Sequence, residues 1–505
     1  MILGFYILAL AALFLHVPDS LADPAARPFV LSVGVIIIWR YGWGAVHFVR
    51  AQLYKRRSFP RLRAAATRLA AATAPDDGQL PRVYLVCTSY RIRAETSTHV
   101  FRALIEEAER YPGPVTIVAS LVEMADQRLV KLLFNRLAPP DRVRLKFVRI
   151  DGRGKRDALA VALLAVARDR PPPDAVVAVV DGDTLMAPGT LERCLPFFRL
   201  LPDVGGLTTD EEAVVDGSWL MRDWHRLRFA QRQMLMCSMA LSGRLLAMTG
   251  RMSMYRINVA TNPDFIETIR DDHLDHWRLG QIKLLTGEDK STWQWLLAHR
   301  WRMLYVPDVQ MLTIEHPPDR RFLVASTMLM RRWFGNMLRS SSRAIALGPR
   351  EIGAFTWWSL IDQRLSMWTP LLMPLSALAF TVLIGPVILY AYLLWVLTTR
   401  LIQALMLLTM RDTISGTYPL LILYGQVYGA LVKTWVLFRP DYQGWSRQPV
   451  AVAPSAGWAD SLNRLGSHLT YAVAMLALVT GVAFATGLLL PPSLASVAIT
   501  LARLL

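Results

Sequence analysis

Two aspartates separated by one residue, Asp181 and Asp183, directly follow the apolar run 176–180. Mg²⁺ in proteins takes one or two carboxylates and completes its coordination with water and phosphate oxygens. An Asp-x-Asp pair at a strand end therefore suits a divalent cation that neutralises a departing diphosphate as a Lewis acid. Asp-Gly is also a common pair in surface turns. The motif alone leaves a metal site and a turn as open alternatives.

A second candidate is the basic segment 152–157, which reads GRGKRD. Glycine permits close backbone approach, and the adjacent cations Lys155 and Arg156 could grip a diphosphate. The segment lacks the GxxxxGK[ST] pattern of a P-loop and a complete GxGxxG dinucleotide fingerprint. Taken alone, a basic turn in which Asp157 caps the following helix is the simpler explanation.

Two further clusters carry groups for proton transfer and for sugar binding. In Glu288-Asp289 an acidic pair could supply a general base that removes a proton from an attacking hydroxyl. Acids are also favoured at a helix N-terminus, and both explanations can hold together. In Arg332-Trp333 the indole offers a stacking face for a sugar ring and the guanidinium a bidentate contact to phosphate. A belt of Trp and Arg at a membrane interface explains this pair equally well.

The elements that would position these residues are short apolar runs that alternate with helical patterns between residues 82 and 320. This alternation predicts an α/β domain with a mostly parallel, doubly wound sheet, and ligands bind such sheets at the carboxyl ends of the strands. The predicted strands are 83–88, 115–122, 143–150 and 175–180, and the predicted helices are 96–110 and 155–168. The residues collected at that edge would be Thr88, Tyr90, Glu123, 151–157 and 181–183.

The composition indicates a membrane protein. Hydrophobic residues make up 53% of the 505 residues, which excludes a disordered chain, and three cysteines are too few for a disulfide-stapled scaffold. Lys and Arg number 56 against 39 for Asp and Glu, a net charge of +17. Such charge suits nucleic acid or the inner face of a membrane. Apolar runs beside basic clusters at both chain ends favour the membrane, and no basic helix in a recognisable DNA-binding motif is present.

Two apolar stretches, 1–17 and 29–49, predict membrane helices ahead of the sheet domain. The basic cluster at 50–63 predicts that the second helix ends in the cytoplasm. A cleaved signal peptide is the less favoured interpretation of the first stretch, because no Lys or Arg precedes it.

Further apolar stretches follow the sheet domain. Residues 323–345 mix arginines with apolar residues and predict an amphipathic helix in the membrane interface. Residues 366–410 are long enough to cross twice, with a turn at Gly385-Pro386, and 468–490 is another candidate. We expect 417–437 to lie in the interface or to re-enter, because a crossing would move Arg439 and Arg447 outside. Four to six spans result.

The order of these motifs resembles that of the processive family-2 glycosyltransferases, which include the cellulose, chitin, hyaluronan and alginate synthases. The similarity covers nearly the whole chain and is greatest to the alginate-polymerising members. The stretches that carry it are SLVEMAD (120–126), GKRDALA (154–160), VVDGDT (179–184), VGGLTT (204–209), the run 227–256, LTGEDKSTW (285–293), RRWFGNMLRSSSRA (331–344) and WSRQP (445–449).

The resemblance implies a Rossmann-like GT-A domain inserted between N-terminal and C-terminal transmembrane helices, together with amphipathic interface helices. The implied division is 1–50 for two transmembrane helices, 51–81 for a basic linker, 82–320 for the cytoplasmic GT-A domain, 321–365 for the interface helices, and 366–505 for a transmembrane region with a gating loop near 439–449.

The resemblance also implies a GDP-mannuronate donor, Mg²⁺ or Mn²⁺, and inverting transfer that makes a β-1,4-linked polymannuronate. Asp183 would contact the metal, Asp181 the nucleotide and the metal, and Asp289 would act as the base on the terminal 4-hydroxyl. The implied donor-site residues are Thr88, Tyr90, Glu123, Lys155, Arg156 and Asp181. The implied acceptor-site residues are Glu288, Arg332 and Trp333, and the implied gating residues are Trp445 and Arg447.

The polymer would pass through the chain's own transmembrane channel, and basic residues there would lower the cost of a charged polymer in the membrane. Arg364, Arg400 and Arg411 are candidates. The implied location is the bacterial inner membrane with the catalytic domain in the cytoplasm. The implied partners are lipid, a separate cyclic-di-GMP-binding PilZ subunit and periplasmic export proteins, with no nucleic acid.

The chain departs from the wider family at two positions. Leu329 stands where a Q-x-x-R-W motif needs Gln, and Gly287 stands where a Thr-Glu-Asp triplet needs Thr. The first departure weakens a glucan-synthase interpretation. Two alternatives stay open: a sister synthase that uses a UDP-sugar, and a membrane-anchored nucleotide-binding scaffold without catalysis.

Overall fold

The fold is built on an eight-stranded sheet with the strand order β3-β2-β1-β4-β7-β6-β10-β5. The structure is a computed structural model, and it describes residues 2–18, 27–72, 80–151, 154–443 and 458–489. The strands of this sheet are β1 (Val83–Ser89), β2 (Val115–Leu121), β3 (Val143–Arg149), β4 (Val176–Asp181), β5 (Thr184–Leu185), β6 (Val204–Val215), β7 (Met252–Arg256) and β10 (Arg302–Glu315). A separate hairpin is formed by β8 (His273–His276) and β9 (Gly280–Lys283).

The helices of the sheet domain lie between its strands in the sequence. They are α4 (Ala94–Arg110), α5 (Met124–Leu137), α6 (Lys155–Arg168), α7 (Thr190–Cys194), α8 (Pro196–Leu200), α9 (Trp219–Ala240), α10 (Ile257–Ala260), α11 (Pro263–Arg270) and α12 (Glu288–Ala298).

Long helices flank the sheet domain on both sides in the sequence. Before it come α1 (Ile2–Leu15), α2 (Arg27–Leu53), a π-helical turn (Tyr54–Ser58) and α3 (Phe59–Ala71). After it come α13 (Phe322–Ala346), α14 (Pro349–Ile352), α15 (Ala354–Leu365), α16 (Thr369–Ile384), α17 (Val387–Met406), a 3₁₀ turn (Leu407–Thr409), α18 (Tyr418–Leu437) and α19 (Trp458–Thr486).

The register of the parallel strands brings their carboxyl ends to one level. Thr88 of β1 lies opposite Ser120 of β2 on one side and opposite Asp181 of β4 on the other. β1 and β2 are buried along their whole length, as expected for apolar strands covered on both faces. β7 is antiparallel to both β4 and β6, so the sheet is mixed rather than parallel throughout.

The four predicted strands and two predicted helices form at nearly the predicted places. The four other strands, β5, β6, β7 and β10, complete the sheet and were not predicted from the sequence. β6 contains three adjacent acids, 210–212, and two of them, Asp210 and Glu211, are buried. Arg411 pairs with Asp210 at 2.6 Å, and Arg251 pairs with Glu211 at 3.0 Å. Because these partners are distant in the sequence, the acids give no local sign of a strand.

Among the described residues, three helical stretches are long and apolar enough to cross a membrane: Val387–Thr409, Tyr418–Leu437 and Ser461–Thr486. Ala354–Leu365 and Thr369–Ile384 would form a fourth as a broken span with a bend of 42°. Residues 366–410 therefore contain two helices joined at Gly385-Pro386, as expected.

The N-terminal helices pack against the C-terminal ones. α1 is apolar but, at 14 residues, shorter than a span. The hydroxyl of Tyr6 on α1 donates a hydrogen bond to the carbonyl of Leu397 on α17 at 2.6 Å. Arg40 on α2 forms an ion pair with Asp362 on α15 at 2.8 Å. The two N-terminal spans stay a prediction.

The segments at the two ends of α18 contact other parts of the protein. The segment before α18 contacts the sheet domain, and the segment after it contacts α13. Before its first turn, the hydroxyls of Ser415 and Thr417 donate to Asp223 on α9 at 2.6 and 2.8 Å. Beyond its last turn, the carbonyl of Pro440 accepts a hydrogen bond from Arg339 on α13 at 3.1 Å. A helix that crossed a membrane would carry its two ends to opposite sides. Length and composition make this helix a candidate span, so its expected position in the interface stays a prediction.

Candidate functional site

A cavity of about 230 Å³ lies at the carboxyl edge of the strands and is called the sheet-edge cavity below. It is lined by residues from six elements: the ends of β1, β4 and β10, the beginnings of α6 and α12, and α13. The predicted site residues that line it are Thr88, Tyr90, Lys155, Asp181, Asp183, Glu288, Asp289, Arg332 and Trp333. The structure thus brings together residues that are up to 245 positions apart, from Thr88 to Trp333.

Two of the predicted donor-site residues do not line this cavity. Glu123 is exposed at the end of β2, where its backbone begins α5. Arg156 turns away into the interior and is described below. Trp445 and Arg447 lie outside the described residues. Gln443, which precedes them, bonds Leu285 N at 2.9 Å and Lys283 O at 2.8 Å, so the chain reaches the cavity wall just before the predicted gating residues.

Backbone hydrogen bonds hold the Asp181-Gly-Asp183 turn against β1 and β10. The amide of Gly182 donates to the carbonyl of Thr88 at 3.0 Å, and the amide of Ile314 donates to the carbonyl of Asp183 at 2.8 Å. A Cβ atom on Gly182 would lie 2.7 Å from the Thr88 carbonyl oxygen and 2.7 Å from the Ile92 side chain. The glycine is therefore needed for close approach, and the pair is part of a cavity wall instead of a surface turn.

Lys155, the first residue of α6, lies between two carboxylates. Its Nζ is 2.5 Å from Asp181 Oδ1 and also forms an ion pair with Glu288. Burial lowers the pKa of Lys155, but these two carboxylates outweigh it and raise the pKa well above its ordinary value. Burial raises the pKa of Glu288, yet Lys155 holds it down at about 2. Lys155 is thus a fixed cation that faces the Asp181 side of the cavity.

The acidic groups of the cavity suit a divalent cation. Five carboxylates line it, those of Asp181, Asp183, Glu288, Asp289 and Glu315, against the three cations Lys155, Arg251 and Arg332. Burial and the neighbouring carboxylates of Asp183 and Glu288 raise the pKa of Asp181, against the opposing effect of Lys155. A cation between Asp181 and Asp183 would relieve this repulsion.

The donor set fits magnesium or manganese only with help from a substrate. Among the residues that the structure describes, no three His, Cys, Asp or Glu side chains are grouped to hold a metal ion. Two carboxylates, from Asp181 and Asp183, would contribute, and water and phosphate oxygens would supply the rest, which is the usual arrangement for Mg²⁺.

Asp289 lies in the first turn of α12, where a glycine sets the chain direction. Gly287 has φ +86°, and a Cβ atom there would lie 2.9 Å from Asn336 Cγ on α13. The hydroxyl of Thr286 donates to Asn336 Oδ1 at 2.8 Å. Burial and the neighbouring Glu288 carboxylate raise the pKa of Asp289. A carboxylate with a raised pKa is a better proton acceptor at neutral pH.

Arg156 does not occupy the position expected for a diphosphate ligand. Its side chain is only 5% exposed and donates to the carbonyl of Ile269 at 3.0 Å and of Thr286 at 3.1 Å. It also donates to Ser291 Oγ at 2.9 Å. These bonds tie α6 to the turn that leads into α12. In this structure Arg156 therefore positions the Asp289 segment, because its hydrogen-bond donors are directed at backbone carbonyls and not at the cavity.

Arg332 and Trp333 reach the cavity from α13, which the sequence predicted to be amphipathic. One face of the Trp333 ring is stacked on Trp224 of α9, with ring centroids 5.4 Å apart and an angle of 14° between the planes. The membrane-belt and sugar-stacking interpretations of this pair are both compatible with this placement. The indole is held rigidly at the wall, which suits a binding surface.

A buried ion-pair network that the sequence did not predict lies beside the cavity. Arg251 lies at the start of β7 and pairs with Glu211 at 3.0 Å and with Glu315 at 2.6 Å. Arg232 on α9 also pairs with Glu211. Burial tends to raise the pKa of Glu315. Arg251 opposes this effect, and the pKa is lowered to about 2. The sequence signal for this network is that Arg232 and Arg251 both lie within the run 227–256.

The chain is similar to known proteins over most of its length. Residues 81–336 match the family model described as "Glycosyltransferase like family 2". The chain is 45% identical to "Glycosyltransferase alg8" of Pseudomonas syringae pv. tomato over 90% of this chain and 92% of the relative. It is 44% identical to "Glycosyltransferase alg8" of Azotobacter vinelandii over 88% of this chain and 89% of the relative.

Among solved structures, a mannosyltransferase from Pyrobaculum calidifontis, in complex with GDP-Man and Mn²⁺, is 17% identical. The match covers 87% of this chain and 98% of the other, with a TM-score of 0.37. A likeness at this level carries no weight for the site.

Proposed function

The chain belongs to the family-2 glycosyltransferases, and from that premise we propose that it is a mannuronan synthase that polymerises mannuronate from GDP-mannuronate into β-1,4-linked polymannuronate. It is a membrane glycosyltransferase with a GT-A-like domain and apolar helices in its C-terminal part. The observation that carries the proposal is the sheet-edge cavity, in which Asp181, Asp183, Lys155 and Asp289 meet beside Arg332 and Trp333.

In the proposed reaction, the 4-hydroxyl oxygen of the polymer's terminal sugar attacks C1 of the donor sugar on the face opposite the diphosphate. The bond between C1 and the phosphate oxygen breaks, and GDP leaves with the bonding electrons. Asp289 accepts the hydroxyl proton, as its partly buried position and raised pKa suit. Because attack and departure occur on opposite faces, an α-linked donor gives a β-linked product.

In the proposed reaction, groups on the Asp181 side of the cavity neutralise the charge of the leaving diphosphate. A divalent metal bound by Asp183 and Asp181 would act as a Lewis acid on the diphosphate. Lys155 exchanges its contact with Asp181 or Glu288 for a phosphate oxygen, because an ammonium group serves as a compact phosphate ligand. Thr88 and Tyr90, at the end of β1, contact the nucleoside, and Glu123 stands at the edge of that region. Arg156 supports the Asp289 segment from behind.

A second cavity, the helix cavity, supports passage of the polymer through the chain. It has a volume of about 220 Å³ and lies between α2, α13, α16, α17 and α18. Its basic lining residues are Arg40, Arg400 and Lys433, and among the described residues that line it none is acidic. Of the three arginines expected in such a channel, only Arg400 lines it, since Arg411 pairs with Asp210 and Arg364 donates to the carbonyl of Leu338.

The remaining features of the proposal concern location and partners. The basic residues that follow α2 support a position of the sheet domain on the cytoplasmic side of a bacterial inner membrane, with several spans around it. A separate PilZ-domain membrane subunit activated by cyclic-di-GMP and periplasmic export proteins complete the assembly.

The donor assignment is tested by supplying membranes that contain the full chain and its activating partners with radiolabelled GDP-mannuronate, UDP-glucose, UDP-glucuronate or UDP-N-acetylglucosamine. We expect label to enter a high-molecular-weight polymer only from GDP-mannuronate. The polymer should be degraded by a mannuronate-specific lyase. Incorporation from a UDP-sugar alone would reject the proposed donor in favour of a sister synthase.

The pH dependence of turnover should reflect the raised pKa of Asp289. A base is active only when deprotonated, so the rate falls as the pH falls through its pKa. Because burial and Glu288 raise that pKa, the acidic limb of kcat/KM should lie above the ordinary aspartate value of about 4. The measurement is the initial rate of label incorporation between pH 4 and 9. A rate that stays constant down to pH 4 would contradict the assignment.

A further inference from the structure

Two consecutive residues of α13 separate the two cavities. Trp333 lines the sheet-edge cavity, and Phe334 lines the helix cavity. A polymer that leaves the reacting centre for the helix cavity must therefore pass this point of α13. The residues around it are the first contacts that a newly lengthened chain meets on its way out.

Two basic side chains from other helices meet at this point. The guanidinium carbon of Arg228, on α9, lies 5.1 Å from the centroid of the Trp333 ring and 5.8 Å from that of the Phe334 ring. The Nζ of Lys433, on α18, lies 4.9 Å from the centroid of the same Phe334 ring. Both cations thus contact the same aromatic ring. We call these two residues the Arg228–Lys433 pair.

Among the described residues, no ion pair includes Arg228 or Lys433. The carboxylate of Asp362 acts on Lys433 electrostatically but forms its ion pair with Arg40, at 2.8 Å. Burial lowers the pKa of Arg228 to about 10, which leaves it charged at neutral pH. Two cations held close together in a partly buried site without a counter-charge are unfavourable. Contact with aromatic rings offsets only part of that cost.

The position and charge of the pair suit an anionic ligand that carries a carboxylate. We infer that Arg228 and Lys433 bind the carboxylate groups of an acidic polysaccharide as it passes from the sheet-edge cavity into the helix cavity. This inference rests on the proposed function, since it takes a polyuronate as the product. Arg400, which lines the helix cavity beyond Phe334, continues the basic path. The pair would therefore favour retention of a uronate polymer over a neutral one.

The test uses Arg228→Met and Lys433→Met in membranes where the full chain is active with its partners. Methionine keeps the length and apolar contacts of the side chain but removes the charge. We expect each variant to bind GDP as the wild type does and to release polymer shorter by about tenfold, because a contact to a charged group is lost. Arg228→Lys and Lys433→Arg should restore most of the length. The matched control is Arg222→Met, which removes an exposed charge from the same helix α9.

The outcomes separate this inference from the proposed function. If the wild type makes no polymer from GDP-mannuronate, the proposed function fails and the inference falls with it. If the wild type makes polymer and both methionine variants release chains of wild-type length, only the inference is overturned.

A second measurement needs no variant and covers the case in which the methionine variants lose GDP binding. Short oligomannuronates and the same oligosaccharides with their carboxyl groups reduced to alcohols are added to the wild type as competitors of elongation. We expect the acidic oligosaccharides to inhibit about tenfold more strongly, and the difference should shrink as salt is raised. Equal inhibition by the acidic and neutral compounds would overturn the inference.

Discussion

Polymer formation should be lost when Asp289 is replaced by asparagine. The amide has nearly the shape of the carboxylate, so α12 and the Gly287 turn should stay in place, but it cannot accept the proton of the attacking hydroxyl. General-base catalysis contributes about 10²–10⁴-fold to a rate. We therefore expect kcat to fall by about 10³-fold, equivalent to ~4 kcal/mol of transition-state stabilisation. The measurement is incorporation of labelled mannuronate into polymer, with GDP affinity determined in parallel by calorimetry.

The control for this variant is Asp275→Asn, which changes an exposed acid on the β8–β9 hairpin. It should leave both polymer yield and GDP affinity at wild-type values. Undiminished polymer yield from Asp289→Asn would remove the base assignment. If the wild type itself binds GDP tightly but makes no polymer, the result would instead favour a nucleotide-binding scaffold.

Replacing Asp183 by asparagine should abolish the dependence of turnover on a divalent metal. The variant keeps the backbone bond between the Asp183 carbonyl and the Ile314 amide, so the turn after β4 should persist. Loss of one of the two proposed carboxylate ligands would remove charge stabilisation of the leaving diphosphate, worth several kcal/mol. We expect a fall in kcat of about 10³-fold. The rate is measured while Mg²⁺ or Mn²⁺ is titrated, and the wild type should lose activity when a chelator removes the metal.

The matched control is Asp174→Asn, because Asp174 is exposed just before β4, at the opposite end of the strand from Asp181. Its metal titration should overlay that of the wild type. If Asp183→Asn reaches the wild-type rate at saturating metal, Asp183 is not a ligand that the reaction needs. If the wild type is unaffected by the chelator, a metal-free way of neutralising the diphosphate, with Lys155 as its cation, must replace the proposal.

The local sequence pattern was sufficient to predict the part of the sheet that holds Asp181 and Asp183. The runs that became β1, β2 and β4 are continuous and apolar, and such strands are recognisable because both of their faces are buried. Parallel strands joined by helices place their carboxyl ends at one edge. Hence the meeting of Thr88, Lys155 and Asp181 could be predicted without coordinates.

The β6 strand and the direction of Arg156 depend on the tertiary structure. Asp210 and Glu211 tolerate burial only because Arg232 on α9 and the loop residues Arg251 and Arg411 come to them from distant parts of the chain. Arg156 turns inward because the carbonyl of Ile269, which lies 113 residues later, accepts its hydrogen bond. A sequence pattern reports the burial of a segment but not the partner of each polar group.

The sequence by itself determined the family, the apolar strands and the acidic and basic residues of the site, because these follow from residue type and from periods of a few residues. Only the tertiary structure decided that Trp333 and Phe334 line different cavities and that Arg228 and Lys433 share one aromatic ring. The physical reason is that three helices far apart in the chain must pack before their charges can face the same space.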